Sequence, residues 1–355
     1  MGKPLVSVVT PFFNTAPYLA ECIESVLGQT YENFEYILMD NCSTDGSSEI
    51  AADYARRDSR IRLISSSVFL PQLPNYNRAL AAISLHSQYC KIVEADNWIF
   101  PQCLGSMVEA FEQSESIGLV SSFWLYGNEL RGSGLPYGTG IISGKDCARE
   151  YLLTGWSLFG APTQVMCRCS LIREQKAFFN PTSLFFADVE TAMEILKHWD
   201  LGFVHQVLSF ARNDNESITR GVDACKPYQL LLYGMALRYA PVFLQPDEAT
   251  SLIAKRKREY YRVLARASFL FHGSEFWRFH KLAIKVVARQ EKHDRVYFAI
   301  IMALELLWIA INPGTAARQA FFALRRDKKV KASRVKGQLA GLLLRARPDT
   351  GSARK

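Results

Sequence analysis

None of the eight cysteines forms C-x-x-C, and Cys167 and Cys169, too close to pair readily, have no partner cluster with zinc spacing. A disulfide framework and a zinc site are thereby disfavoured, and the thiols read as reduced and half-buried in a cytoplasmic setting. No signal peptide is present at the N-terminus, because the apolar stretch Leu5–Thr10 is too short and Pro11 and Asn14 interrupt it. Without one, the glycosylation-like triplets Asn41-Cys42-Ser43 and Asn215-Glu216-Ser217 read as chance. No apolar run reaches the roughly 20 residues of a membrane-spanning helix. The best candidate, Val296–Ile311, has 16 residues and contains Glu305. It stays open as a core helix, an interfacial helix or a short span.

The common catalytic signatures are missing too. No G-x-G-x-x-G follows the first strand, which disfavours a dinucleotide fold. Gly144-Lys145 lacks the P-loop spacing and has Asp146 where Ser or Thr is needed. None of the six histidines has H-E-x-x-H spacing, and no G-x-S-x-G elbow occurs. What remains is a chain of 355 residues, 49% apolar and 12% aromatic, able to fill at least one large core.

Charge divides the chain. Residues 1–222 hold 16 Lys and Arg against 24 Asp and Glu, a net of −8, whereas residues 223–355 hold 26 against 10, a net of +16. Two parts with different tasks are expected.

The front part alternates in period. Strands are predicted at Val6–Thr10, Phe34–Met39, Ile61–Ser65 and Cys90–Val93, with helices at Tyr18–Leu27, Ser47–Arg57 and Tyr76–Ser84. Such alternation predicts an α/β fold, a mostly parallel sheet with helices on both faces, binding its ligand beyond the carboxyl ends of the strands. The Gly-rich stretch 132–144 reads as a mobile loop. After residue 222 the pattern is helical: Tyr228–Tyr239, Asp247–Phe271, Ser274–Gln290, His293–Ile311 and Thr315–Arg326.

Three acidic positions follow elements in a way that suits chemistry. Asp40-Asn41-Cys42-Ser43-Thr44-Asp45-Gly46 follows a strand and is also good turn chemistry. Glu94-Ala95-Asp96 closes the fourth strand, and residues two apart share a strand face, so both carboxylates can aim at one point, as hard divalent cations require. Asp188 opens a predicted helix, where the dipole alone would favour an acid.

Taken in order, these motifs resemble family 2 glycosyltransferases over about residues 4–222. The elements of the likeness are Pro11-Phe12-Phe13-Asn14, Ser25-Val26-Leu27-Gly28-Gln29-Thr30, the Asp40–Gly46 run, Asn77 with Ala79, Glu94-Ala95-Asp96 and then Pro101. Gly160-Ala161-Pro162-Thr163 with Arg168, Asp188, Leu201–Val204, Arg212 and Ser217-Ile218-Thr219 complete it. The resemblance implies a GT-A nucleotide-diphospho-sugar transferase domain (1–222), followed by an all-helical basic domain (223–330) and a basic tail (331–355). It implies an inverting transfer from a UDP- or dTDP-linked sugar to a saccharide or lipid-linked acceptor in cell-surface polysaccharide synthesis. Asp188 would be the general base. Asp40 would read the nucleotide base, with Pro11 and Phe13 as its wall and Asp45 supporting that loop, and Asn14, Asn41, Asn77, Arg78, Glu94, Ala95 and Asp96 would complete the donor-binding set. Arg78 would touch phosphates or be a solvated helix charge. Asp96 with Glu94, and Asp214 in place of a usual histidine, would hold a divalent metal, Mg or Mn. The sequence departs from the family pattern at Glu94 for Asp, at Asn97 for an acid, at Phe13 for tyrosine and at Ala187 for an acid. Rival readings are a catalytically degenerate nucleotide-sugar binding protein and a nucleotidyltransferase.

The basic runs Lys255–Arg258 and 325–331 alternate with aromatic residues. They read as a solvated face or as a membrane-surface contact that would place the enzyme peripherally on the inner face of the cell membrane. Nucleic acid is disfavoured, since no nucleic-acid motif accompanies the charge.

Overall fold

The computed structural model describes residues 2–132, 135–155, 157–183, 186–213, 225–269, 273–287, 294–312 and 314. The chain forms two compact units, Met1–Asn215 and Glu216–Lys355.

The first unit is built on strands β1 (Val6–Phe12), β2 (Phe34–Asp40), β3 (Ile61–Ser65), β4 (Tyr89–Ile92), β5 (Trp98–Ile99), β6 (Ile117–Tyr126), β7 (Glu129–Arg131), β8 (Ile141–Ile142), β9 (Met166–Arg168) and β10 (Asp200–Ala211). Its helices are α1 (Ala16–Leu27), α2 (Ser47–Arg57), α3 (Gln72–Leu80), α4 (Cys103–Phe111), α5 (Gly144–Thr154), α6 (Cys169–Arg173) and α7 (Ala187–Ile195). The sheet runs β3-β2-β1-β4-β9-β6-β10-β5, with β7 on β6 and β8 on β10.

All of β1 is buried, as a strand flanked on both faces by helices must be. Alternation then sorts the helices. Val6, Val8, Tyr36 and Leu38 share a core with Leu19, Ile23 and Val26 of α1, Ala51 of α2, and Met107 and Phe111 of α4. The opposite face carries α3 against β1 and β2, and α7 against β6.

The sheet is mostly parallel, as expected, since β3, β2, β1, β4, β6 and β10 run the same way, but short β9 between β4 and β6 is antiparallel to both. Several expectations are corrected. The fourth strand ends at Ile92, so Glu94 and Asp96 lie on the turn beyond it and not on a strand face. Helix α3 begins at Gln72, four residues earlier than expected. The Gly-rich stretch contains β8 and is immediately preceded by β7, so it is not all loop.

The second unit is helical throughout its described residues: α8 (Tyr228–Phe243), α9 (Pro246–Phe269), α10 (Ser274–Val287) and α11 (Arg295–Ile311). His280 is buried between the Tyr260 hydroxyl at 3.3 Å and the Cys225 carbonyl at 2.8 Å. Glu305 is 3% exposed and accepts from Arg262 Nε at 2.5 Å and Arg266 Nε at 2.8 Å. Among the described residues no helix is long and apolar enough to cross a membrane. The expected helix 315–326 and the tail 331–355 lie outside the described residues.

Gly144 shows how tightly the first unit closes. A Cβ there would stand 2.2 Å from the Trp199 carbonyl oxygen and 2.3 Å from that of Leu196, backbone atoms that cannot swing aside. This close approach accounts for the glycine that precedes Lys145. Gly144→Ala is expected to destabilise the fold by about 2 kcal/mol or more, read as a lower chemical-denaturation midpoint.

Candidate active site

Two clusters form beyond the carboxyl ends of the parallel strands β1, β2 and β4, the edge where such sheets bind ligands. The first is the turn after β2. Asp40 ends that strand, is buried, and accepts from the Ser43 N–H at 3.0 Å and the Ser48 hydroxyl at 2.5 Å. Asn41 is buried, exchanging two hydrogen bonds with the Leu70 backbone at 2.8 and 3.0 Å. Its Oδ1 also accepts from Arg78 Nη2 at 3.1 Å. Arg78 further donates to Asn75 Oδ1 at 2.7 Å and to the Ser66 hydroxyl. It is therefore a tie between loops rather than a solvated helix charge.

Asp45 fastens this turn to two helices. Its Oδ2 accepts from the Ala16 N–H at 3.0 Å, where α1 begins, and its Oδ1 from the Ser47 N–H and hydroxyl, at 3.1 and 2.6 Å, where α2 begins. Burial works against its charge, but the Ser47 and Ala16 hydrogen bonds prevail and hold the carboxyl below its ordinary value. Asn14 adopts a left-handed backbone, φ 52°, which asparagine tolerates, and accepts from the Thr44 N–H at 2.8 Å. Pro11 is buried in β1 opposite Met39. Phe13 is 42% exposed and meets Phe69 edge-on at 4.8 Å, an aromatic wall at the mouth of the turn.

The second cluster is the turn after β4. Glu94 Oε2 accepts from the Thr163 hydroxyl and from Asn97 Nδ2, each at 3.1 Å, and Oε1 accepts from the Tyr76 hydroxyl at 3.3 Å. The Glu94 N–H donates back to Thr163 Oγ1 at 3.0 Å. Burial first, then the charge of Asp96, and further that of Asp188, push the Glu94 carboxyl up to about 7, against the opposing Thr163 and Tyr76 hydrogen bonds. Glu94 thus feels the charge of both other carboxylates, with Ala95 buried between it and Asp96 in sequence.

Asp188 is in the first turn of α7, directly after Phe186, which is left-handed at φ 54°. Burial raises its carboxyl above the ordinary value, against the Val189 N–H and its own. It lines a pocket of about 40 Å³ with apolar neighbours that include Ile92, Leu119, Phe159, Pro162 and Phe179. Asn77 shapes this wall: its side chain donates to the Phe179 carbonyl at 2.7 Å and accepts from the Phe179 N–H at 2.9 Å.

Sequence reasoning missed the roles of Thr163, Tyr76 and Lys91. Lys91 is fully buried and donates to the carbonyls of Thr163 at 2.6 Å and Val165 at 3.3 Å. Burial lowers its pKa. A lysine inside an apolar strand was the available signal. Asp214 lies outside the described residues. Among the described residues no three Asp, Glu, His or Cys side chains stand together as a metal site. Glu94 and Asp96 offer carboxylate oxygens, the donor type that a hard divalent cation takes.

Residues 7–175 match the family model described as Glycosyl transferase family 2. That segment belongs to glycosyl transferase family 2. The family 2 segment is also similar to curated relatives. The glycosyltransferase GlyG of Streptococcus pneumoniae is 31% identical over 138 residues, 38% of this chain and 44% of GlyG. EpsJ of Bacillus subtilis, named an uncharacterized glycosyltransferase, is 35% identical over 113 residues, 32% of each chain. The chain therefore spans less than half the length of these relatives. Among solved structures, residues 1–349 of Staphylococcus aureus TarS with UDP align at TM-score 0.56 and 15% identity, covering 79% of each chain. The complex with UDP-GlcNAc aligns at the same TM-score and 16% identity, over 79% of this chain and 81% of TarS. At that identity the likeness shows the fold, a GT-A domain followed by a helical region.

The raised Glu94 carboxyl has a measurable consequence. The folded protein holds that proton more tightly than the unfolded chain, so charging Glu94 costs stability as pH rises from its ordinary 4.5 through about 7. The loss amounts to roughly 3 kcal/mol at most and is complete above that range. Glu94→Gln is expected to flatten this part of the pH–stability curve. Parallel curves for variant and wild type between pH 5 and pH 8 would contradict the assignment.

Proposed function

We propose that this chain is an inverting glycosyltransferase. It transfers a sugar from a UDP- or dTDP-linked donor to a hydroxyl of a saccharide or lipid-linked acceptor in cell-surface polysaccharide synthesis. The observation that carries this reading is Glu94, fastened by Thr163, Asn97 and Tyr76 on the turn after β4 and acted on by the charges of Asp96 and Asp188, beside the Asp40 turn after β2. The TarS complexes with UDP and UDP-GlcNAc support a uridine nucleotide donor.

In this reading the nucleotide base lies against Phe13 and Pro11 and is read by Asp40, whose position Ser43 and Ser48 fix. Asn14, Asn41, Asp45 and Arg78 hold the surrounding loops, and Asn77 holds the Phe179 wall. Glu94 and Asp96 hold a divalent cation, Mg or Mn, which offsets the charge that develops on the leaving diphosphate. Asp188 takes the proton from the acceptor hydroxyl as that oxygen attacks the anomeric carbon. The bond from that carbon to the diphosphate breaks on the opposite side, so one displacement inverts the centre. The raised Asp188 carboxyl suits this role, because a base works best with a pKa nearer the operating pH. The basic C-terminal part supports a cytoplasmic enzyme held peripherally on the inner face of the membrane.

Asp188→Asn is expected to lower transfer by about 100-fold or more while donor affinity stays within about threefold. Unchanged turnover would remove the base. A thermal-shift series of nucleoside diphosphates with Mn²⁺ identifies the donor by mass action. Its shift is expected to be larger at pH 8 than at pH 5.5, because a cation relieves the cost of charging Glu94. Equal shifts at both pH values would argue against Glu94 as a ligand.

A further inference from the structure

Helix α11 is apolar along one whole side. Val296 is 72% exposed, Ile300 52%, Leu304 55%, Leu307 57% and Ile311 68%. Ala299, Ala303, Leu306 and Ala310 are exposed with them. At 3.6 residues per turn these positions fall within an arc of about 160°, and Glu305 falls on the opposite side. The two Glu305 ion pairs with Arg262 and Arg266 fix that rotation, turning the only acid of the helix toward α9 and its apolar side outward. No other element of the described residues exposes so many large apolar side chains.

What covers such a face is decided by the surrounding charge. Arg262 and Arg266 flank α11 with side chains 44% and 42% exposed, and Arg295 opens it. The following residues, 315–355, carry twelve Lys and Arg against two Asp. A second copy laid face to face would bring like charge onto like charge. An anionic surface with an apolar interior meets both the stripe and its basic flanks. The helix has 17 residues, about 26 Å of rise, and one side is committed to α9, so it lies along such a surface rather than crossing it.

We propose that the exposed side of α11 is an in-plane docking face for anionic phospholipid. This deepens the peripheral placement given above and rests on it.

The test is flotation of the full chain with vesicles of phosphatidylcholine containing about one-third phosphatidylglycerol, against phosphatidylcholine alone. The full chain is expected to float with the anionic vesicles. The variant Ile300→Asp/Leu304→Asp/Leu307→Asp, changed only at exposed positions and checked for unaltered helix content by circular dichroism, is expected to lose at least about tenfold in bound fraction. Equal flotation of variant and wild type would leave membrane attachment intact but remove α11 as its means. A wild type that stays unbound overturns the proposal, and two further readings say what covers the face instead. Dissociation of a dimer by the variant in light scattering means a second copy. A lowered thermal midpoint of a monomeric variant means the chain's own residues 315–355. Sugar transfer is assayed on a soluble acceptor in parallel, so that loss of docking and loss of the catalytic reading are seen separately.

Discussion

One costly placement organises the first unit: the Glu94 carboxyl is held half-buried where the charges of Asp96 and Asp188 act against its own. Glu94 stays where it is because Thr163, Asn97 and Tyr76 all donate to it. Each donor comes from a different part of the chain, so the price of crowding negative charge is met by tying those parts together. Thr163 is itself fixed from behind by Lys91, and the Asn97 side-chain Oδ1 accepts from the Arg212 N–H at 3.1 Å, just past the end of β10. The site and the fold are therefore one network.

Much of this was legible in the sequence. The helix α2 and the strand β3 have the limits that their periods predict, because Ile61 and Leu63 alternate on one face and Ile50, Ala51, Tyr54 and Ala55 repeat at helical spacing, both local signals. The strand β9 was not legible as antiparallel: three residues, Met166–Arg168, carry no period, and their direction is set by pairing with β4 and β6. Asp40 and Asp188 could be found because each sits at the end or start of an element, which is a local property. The role of Thr163 could not, because its partner Glu94 is 69 residues away. For the same reason the strand-face argument for Glu94 and Asp96 failed. The strand stops early, and the turn Glu94–Asn97, closed by the Asn97 N–H on the Glu94 carbonyl at 2.9 Å, presents the acids instead.

The second unit shows the same limit from the other side. Val296–Ile311 admitted three readings because its composition is ambiguous and Glu305 was the only marker. The marker becomes decisive once its partners are seen, 43 and 39 residues earlier on α9. A buried acid with two arginines is a satisfied group, and breaking such a set is far costlier than the net value of making it. Burial would raise the Glu305 carboxyl, but its hydrogen bonds to Arg266 and Arg262 outweigh that and hold it low.

The turn around Asp45 carries a last implication, for anyone who would transplant it. Its carboxylate begins α1 with one oxygen and α2 with the other, and Asn14 is stitched to Ser43 and Thr44 alongside. The run Asp40–Gly46 is thus not a cassette. Grafted onto another scaffold without Asn14–Ala16, it would arrive with half its hydrogen-bond partners missing. Any redesign of this turn would have to change both segments as a matched pair.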